Sequence, residues 1–279
     1  MDQLREKYEA LRHVLAGMES VLVAFSGGVD STFLLKVAHD VLGGAAWAAT
    51  ATSAVFPGSE SREAGQLAAS IGALQIVVKF NEQEVPLFAA NPPDRCYHCK
   101  RELFRLCLEK AAELGLRHVL DGSNSDDLSD YRPGRRAVEE LGVRSPLMEA
   151  GLSKQEIRIL SRELGLPTWD KQPCACLASR FPYGTEITVE RLGRIEKCEE
   201  FLKNLGFRAY RVRFHGETAR IEVGELEIPR LLIPEVRQTI VSCFKAAGFT
   251  YVALDLEGYR TGSLNESLAD KGIMRGEGT

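Results

Sequence analysis

The chain has 279 residues, 44% hydrophobic and 27% charged, with 35 basic against 39 acidic side chains and a formal net charge of −4. That length suits about two domains and a core large enough to need no disulfide staples. The charge balance argues against a large phosphate-tracking surface for nucleic acid, and no apolar run approaches the roughly 18 residues of a membrane span. The mixed-charge start MDQLREKYEALRHVLAG lacks the apolar centre of a secretory leader, so a cytoplasmic protein is expected.

In chain order, residues 4–15 place Leu4, Tyr8, Leu11 and Leu15 on one helical face, with Asp2 as a candidate N-cap. The uninterrupted apolar run at 21–25 reads as a parallel strand buried on both faces. A glycine loop follows, then a helix from about Ser31 whose Phe33, Leu34, Val37, Ala38 and Val41 form one stripe. Residues 47–51 read as a strand, 60–71 as a helix closed by Gly72, and 74–80 as a strand. A polar, proline-bearing loop at 81–98 precedes a helix over 99–114, a short strand at 119–121 and a polar loop at 122–134. This alternation predicts an α/β fold: a Rossmann-like parallel sheet with helices on both faces. Ligands of such sheets bind at the carboxyl ends of the strands, here the loops at 26, 52, 81 and 122.

Beyond 152 the texture changes. Ser153 caps a helix to Leu164, a cysteine-bearing loop spans 167–184, and a longer helix covers 189–205. Alternating strands at 208–215 and 219–223, a helix at 235–247 and a strand at 251–256 complete a small α+β domain. The expected organisation is a first domain at 1–185, a second at 186–262 and a disordered tail at 263–279.

The most specific string is Ser26-Gly27-Gly28-Val29-Asp30-Ser31, set between a buried strand and a helix start. Adjacent glycines let successive amides turn toward one point, and the following helix N-terminus adds partial positive charge, so the pocket suits an anion. Ser26 and Ser31 offer hydroxyls, and Asp30 can hold the Mg²⁺ that accompanies a nucleotide. No Gly-Lys-Ser/Thr follows, so this is not a Walker loop.

Four of the seven cysteines lie in short spacings, Cys96-x-x-Cys99 and Cys174-x-Cys176. Such pairs without an export signal point to metal or redox chemistry rather than structural disulfides. Arg95, Lys100 and Arg101 around a helix start near Cys99 favour the thiolate. Three thiolates leave one iron of a 4Fe–4S cluster open to an exogenous sulfide, and four would close a zinc site. A redox or persulfide pair and a sacrificial cysteine donor are the other readings. Cys107, Cys198 and Cys243 read as small core hydrophobes, and His98 as a surface residue.

SGGVDS resembles the pyrophosphate-binding loop of the ATP pyrophosphatases (the PP-loop type), which cleave ATP between its α- and β-phosphates. Further strings narrow the resemblance: Asp121-Gly122-Ser123-Asn124-Ser125-Asp126-Asp127, Asp130-Tyr131-Arg132-Pro133-Gly134, Ser145-Pro146-Leu147, Ala178-Ser179-Arg180-Phe181-Pro182-Tyr183-Gly184 and Val212-Arg213-Phe214-His215. Together they closely resemble the LarE family of ATP-dependent sulfur transferases over nearly the whole chain. That family makes the nickel-pincer nucleotide cofactor of lactate racemase. The resemblance implies ATP and Mg²⁺, adenylylation of a carboxylate of pyridinium-3,5-biscarboxylic acid mononucleotide, replacement of its oxygen by sulfur, and a homo-oligomer.

In residue terms, the resemblance implies that Asp30 binds Mg²⁺ and that the amides of Gly27, Gly28 and Val29 hold the departing pyrophosphate. Ala51, Thr52 and Ser53 would lie near the adenosine, and Gly122 where ATP meets the next strand end. Ser179 and Arg180 match positions that contact the substrate nucleotide. Glu200 is a candidate contact to substrate or metal, against a solvated helical face. Arg211 and Arg213 alternate on a strand with no acid beside them, a candidate phosphate site. Asp126, Asp127 and Asp130 read as a solvated acidic loop or ligand contacts, and Arg132 and Arg135 as attractors of nucleotide phosphate.

Two sulfur routes follow from the resemblance. One family branch gives up the sulfur of a cysteine in the loop holding Cys174 and Cys176. The other holds a 4Fe–4S cluster on three cysteines, here matching Cys96, Cys99 and Cys176, and this arrangement favours the cluster. The competing functions are a PP-loop tRNA thiolase, which suits the cysteines but would need a basic surface, an amidotransferase-type synthetase, which has no use for the cysteine pairs, and a non-enzymatic nucleotide-binding protein.

Overall fold

Val21, Leu22 and Val23 can all be buried because helices cover both faces of the strand that carries them. The structure is a computed structural model describing residues 2–128, 133–172, 175–260 and 262–265. Its contacts divide the chain into two compact units: 1–88 with 94–174, and 89–93 with 175–279.

The first unit runs α1 (Asp2–Ala16), β1 (Val21–Ala24), α2 (Val29–Leu42), β2 (Ala46–Thr52), α3 (Gly58–Ile71), β3 (Leu74–Lys79), α4 (Arg95–Glu113), β4 (His118–Leu120), α5 (Pro133–Glu140), α6 (Pro146–Glu149) and α7 (Lys154–Glu163). The strands are parallel in the order β3-β2-β1-β4, and Leu120 bridges in parallel to Arg144 at the far edge. Side-chain alternation along β1 serves two cores. Val21 and Val23 join Leu11, Leu15, Phe33, Leu34 and Leu160, whereas Leu22 joins Phe104, Cys107, Val119 and Val138. The strand order reverses between β1 and β4, so a crevice opens where the loops after these two strands diverge. The expected Rossmann-like α/β fold is therefore the observed one.

Several element starts differ from expectation by a residue or two, and two of the shifts bear on the site. The helix after the glycine loop begins at Val29 rather than Ser31, with Gly28 as its N-cap, so Asp30 sits in its first turn. Likewise α4 begins at Arg95 rather than Cys99. Burial of Arg95 and Tyr97, with the Tyr97 hydroxyl donating to Glu140 at 2.6 Å, extends the helix back through the cysteine pair. Long-range packing of this kind is invisible to local pattern.

In the second unit, a 3-10 turn (Leu177–Arg180) precedes α8 (Val189–Asn204), β5 (Tyr210–His215), β6 (Thr218–Val223), α9 (Ile228–Leu231), α10 (Pro234–Ala246) and β7 (Tyr251–Leu254). β5 and β6 pair antiparallel, and β7 adds to β6 in parallel after the α10 crossover. The division at 174/175 assigns 175–185 to this unit, which the expected domain boundary at 185 had left in the first. Residues 89–93 belong here too: buried Asn91 donates from Nδ2 to the Pro182 carbonyl at 2.8 Å, and Gly184 N donates back to the Asn91 carbonyl at 2.9 Å. At the other end, 263–265 form a 3-10 turn rather than opening the disordered tail, and Arg213 Nη2 donates to Ser263 Oγ at 2.7 Å. Residues 266–279 lie outside the described residues.

Candidate active site

The glycine loop leaves β1 with its strand pairing extended by one step, Phe25 N donating to the Ala49 carbonyl at 2.8 Å. Gly27 then takes a left-handed φ of 69°. A Cβ at that position would also stand a tight 3.3 Å from Ala64 of α3, so backbone conformation and packing both favour glycine. Ser26 Oγ accepts from Gly28 N at 3.3 Å and lies 3.2 Å from Ser31 Oγ, closing the loop on itself. The loop after β4 approaches just as closely, since a Cβ on Gly122 would lie 3.3 Å from Ser31 N. Ala51 and Thr52 finish β2 and Ser53 follows it, all half-buried, with Thr52 O accepting from Phe80 N at 3.0 Å.

Three residues that the sequence reading missed converge on this loop. Lys154, the first residue of α7, forms an ion pair with Asp30 through Nζ and Oδ2. Asn124 Nδ2 donates to the other Asp30 oxygen at 3.4 Å. Lys171 Nζ donates to the Gly27 carbonyl at 3.1 Å and to Glu63 Oε2 at 3.2 Å. Arg158, one turn after Lys154, donates to the carbonyls of Trp169 at 2.7 Å and Lys171 at 2.9 Å, fixing the segment that carries Lys171. One signal was available: a lysine at the start of a helix opposes the helix field and needs a nearby anion.

The acidic loop has structural duties. Asp126 accepts from Lys154 N at 3.0 Å, and buried Asp127 accepts from Asn124 N at 3.0 Å. Arg135 pairs with Glu139 at 2.8 Å, while Asp130 and Arg132 lie outside the described residues.

Cys96 is exposed and Cys99 half-buried, three residues apart on one face of α4. With the helix starting at Arg95, Cys96 rather than Cys99 occupies the first turn. Cys176 is half-buried in the second unit; its carbonyl accepts from Ser179 Oγ at 2.8 Å and Arg180 Nη1 at 3.0 Å. Cys174 lies outside the described residues. No group of three or more His, Cys, Asp or Glu is gathered as a metal site among the described residues. Burial pushes the thiols of Cys107 and Cys198 up to about 12, as fits core side chains, whereas Cys243, expected in the core, is half-buried, with burial moving its thiol upward. His98 Nε2 lies 3.3 Å from Asp94 Oδ2.

The second unit gathers three arginines. Arg180 is 3% exposed and bidentate to Glu199, through Nε at 2.9 Å and Nη2 at 2.7 Å. Glu199 also accepts from Val212 N at 2.9 Å. Arg213 is bidentate to fully buried Glu222 of β6 at 2.9 and 2.8 Å and donates to the Ser179 carbonyl at 2.9 Å. Arg211 lies over the Tyr259 ring at 5.0 Å; burial first, then Arg180 and Arg213, hold its pKa below the usual arginine value. The acids absent from the sequence neighbourhood of these arginines thus arrive from α8 and the facing strand. The inward acid of α8 is Glu199. Glu200 is exposed, because successive helical residues point about 100° apart. Glu199→Gln should therefore strand the Arg180 charge and cost roughly 3–5 kcal/mol of stability. A denaturant melt of the variant reads that loss directly.

Three relatives match along most of the chain, although no protein-family model does. An uncharacterized protein of Synechocystis is 46% identical over 265 residues, 95% of this chain and 99% of its own length. An uncharacterized protein of Methanocaldococcus jannaschii is 31% identical over 87% of this chain and 92% of its own. The pyridinium-3,5-bisthiocarboxylic acid mononucleotide synthase of Lactiplantibacillus plantarum is 39% identical over 269 residues, 96% of this chain and 97% of its own. The chain belongs to the LarE family.

Within this LarE chain, the residues expected around ATP separate cleanly from those expected around the substrate nucleotide. Ser26 to Ser31, Ala51, Thr52, Ser53 and Gly122 all lie at the carboxyl ends of parallel strands in the first unit. Ser179, Arg180, Arg211 and Arg213 form one hydrogen-bonded and electrostatically coupled group in the second. No helix of the described LarE residues is long and apolar enough to cross a membrane.

Proposed function

We propose that the chain is an ATP-dependent sulfur transferase converting a carboxylate of pyridinium-3,5-biscarboxylic acid mononucleotide to a thiocarboxylate, for nickel-pincer nucleotide synthesis. The observation that carries this reading is the SGGVDS loop at the strand-order reversal, in a chain that is 39% identical over 96% of its length to a pyridinium-3,5-bisthiocarboxylic acid mononucleotide synthase.

In this reading a substrate carboxylate oxygen attacks the α-phosphorus of ATP, pyrophosphate leaves, and sulfur then displaces AMP from the acyl carbon. The amides of Gly27, Gly28 and Val29, at the start of α2, receive the pyrophosphate charge. Asp30 suits Mg²⁺, which commonly binds through one carboxylate together with substrate phosphates and here would neutralise the leaving group. Lys171 holds the Gly27 carbonyl at 3.1 Å and so helps fix the glycine turn. In this reading Ser179, Arg180, Arg211 and Arg213 are the contacts to the substrate nucleotide; the forks of Arg180 and Arg213 are held by Glu199 and Glu222, so these two supply a fixed positive charge rather than a bidentate phosphate bond.

Cys96, Cys99 and Cys176 are thiols rather than half-cystines, the donor chemistry that a 4Fe–4S cluster requires. Such a cluster would supply a transferable sulfide; the alternative donor is the sulfur of Cys176 or Cys174. The functional unit in this reading is a homo-oligomer.

The test is ATP-dependent pyrophosphate release with purified protein. Release that requires the pyridinium mononucleotide supports the proposal, and release stimulated by tRNA instead identifies a tRNA thiolase.

A further inference from the structure

Lys154 and Lys171 reach the same loop but are held differently. Lys171 is fixed by a backbone carbonyl and a carboxylate, and its own segment is anchored by Arg158. Lys154 leans on Asp30, the one carboxylate within the loop. Both partners of that pair remain accessible, with side chains 30% and 22% exposed, unlike the buried Arg180–Glu199 pair at 3% and 8%. Lys154 also sits at the start of α7, where the helix field disfavours a cation. Its ammonium is thus a mobile point charge on a flexible stem, on the oxygen that a metal ion would claim.

We propose that Lys154 is a displaceable counter-ion of the phosphate loop. It neutralises Asp30 before nucleotide binds, yields that carboxylate to the incoming cation, and moves its ammonium onto the polyphosphate oxygens. Two unlike demands are met by one side chain. Asp30 is never left as an uncompensated charge, and the departing pyrophosphate gains a lysine that the string SGGVDS does not itself contain. Lysine is better suited than arginine, because a planar bidentate fork would hold the carboxylate too firmly to exchange. The inference rests on the reading of SGGVDS as a pyrophosphate site.

The experiment is calorimetry on wild type, Lys154→Met and Lys154→Arg, titrated with Mg²⁺ alone and with magnesium pyrophosphate. Removing the competing ammonium should tighten Mg²⁺ binding about two- to fivefold. The same change should weaken magnesium pyrophosphate about ten- to a hundredfold, with Lys154→Arg recovering part of that loss. A residue that merely held α7 in place would weaken both ligands together, and that outcome overturns the proposal. Wild-type pyrophosphate affinity in Lys154→Met overturns it as well, while leaving the loop reading intact. If the wild-type protein itself binds no magnesium pyrophosphate, the loop reading falls first and takes the proposal with it.

Discussion

Asp30→Ala should reduce substrate-dependent pyrophosphate release by about a thousandfold, equivalent to roughly 4 kcal/mol of lost transition-state stabilisation. The carboxylate lies in the first turn of α2, directly after the amides that line the loop, and the backbone around it is set by residues other than Asp30. Gly27 takes its left-handed turn against Ala64, Ser26 closes on Gly28, and Phe33 and Leu34 bury the following helix. The fold should consequently survive, at a cost near the 0.3–1 kcal/mol of one first-turn acid plus an accessible ion pair. An unchanged far-UV spectrum and a small shift of the melting midpoint, alongside the lost activity, would place the defect in phosphate chemistry. Wild-type release from this variant would mean that Asp30 anchors neither metal nor pyrophosphate.

Cys176→Ala should separate the two half-reactions. Pyrophosphate release should continue, because Cys176 belongs to neither the glycine loop nor the segments that close on it. Thiocarboxylate formation should fall below detection by mass spectrometry of the product nucleotide. The substitution is structurally mild: Ser179 and Arg180 hold the Cys176 backbone carbonyl, which alanine retains. Anaerobic purification adds the decisive readout. Iron and sulfide in cluster proportion, lost in Cys96→Ala and Cys176→Ala alike, support transfer of a cluster-bound sulfide. An iron-free active protein whose spent chain has lost one hydrogen sulfide assigns the donor to Cys176 or Cys174 instead. Thiocarboxylate at the wild-type level from Cys176→Ala would remove that residue from sulfur transfer.

Much of the molecule was legible without coordinates, and for a uniform reason. The buried strand at 21–25, the helix stripe of Phe33, Leu34 and Val37, and the Ser153 cap of α7 are local patterns whose period or spacing is written along the chain. SGGVDS belongs with them, since a strand, a left-handed glycine and a helix start occupy consecutive residues. The partners of that loop do not. Lys154 lies 124 residues from Asp30, and Lys171 lies 144 residues from Gly27. Only the return of the chain across the sheet brings either ammonium to the loop.

Glu200, a candidate contact or a solvated face from sequence, is exposed, and its neighbour Glu199 is the acid that α8 turns inward. The neutralising acids of Arg180 and Arg213 come from α8, 19 residues on, and from the facing strand, nine residues on, so neither stands beside its arginine in the sequence. From sequence alone come the parallel α/β class, the glycine turn between β1 and α2 and the short spacing of the cysteines, because backbone conformation and side-chain type are local properties. Tertiary structure alone decided which charges compensate one another, because electrostatic energy depends on distance through space and on exclusion of water, and neither follows chain order.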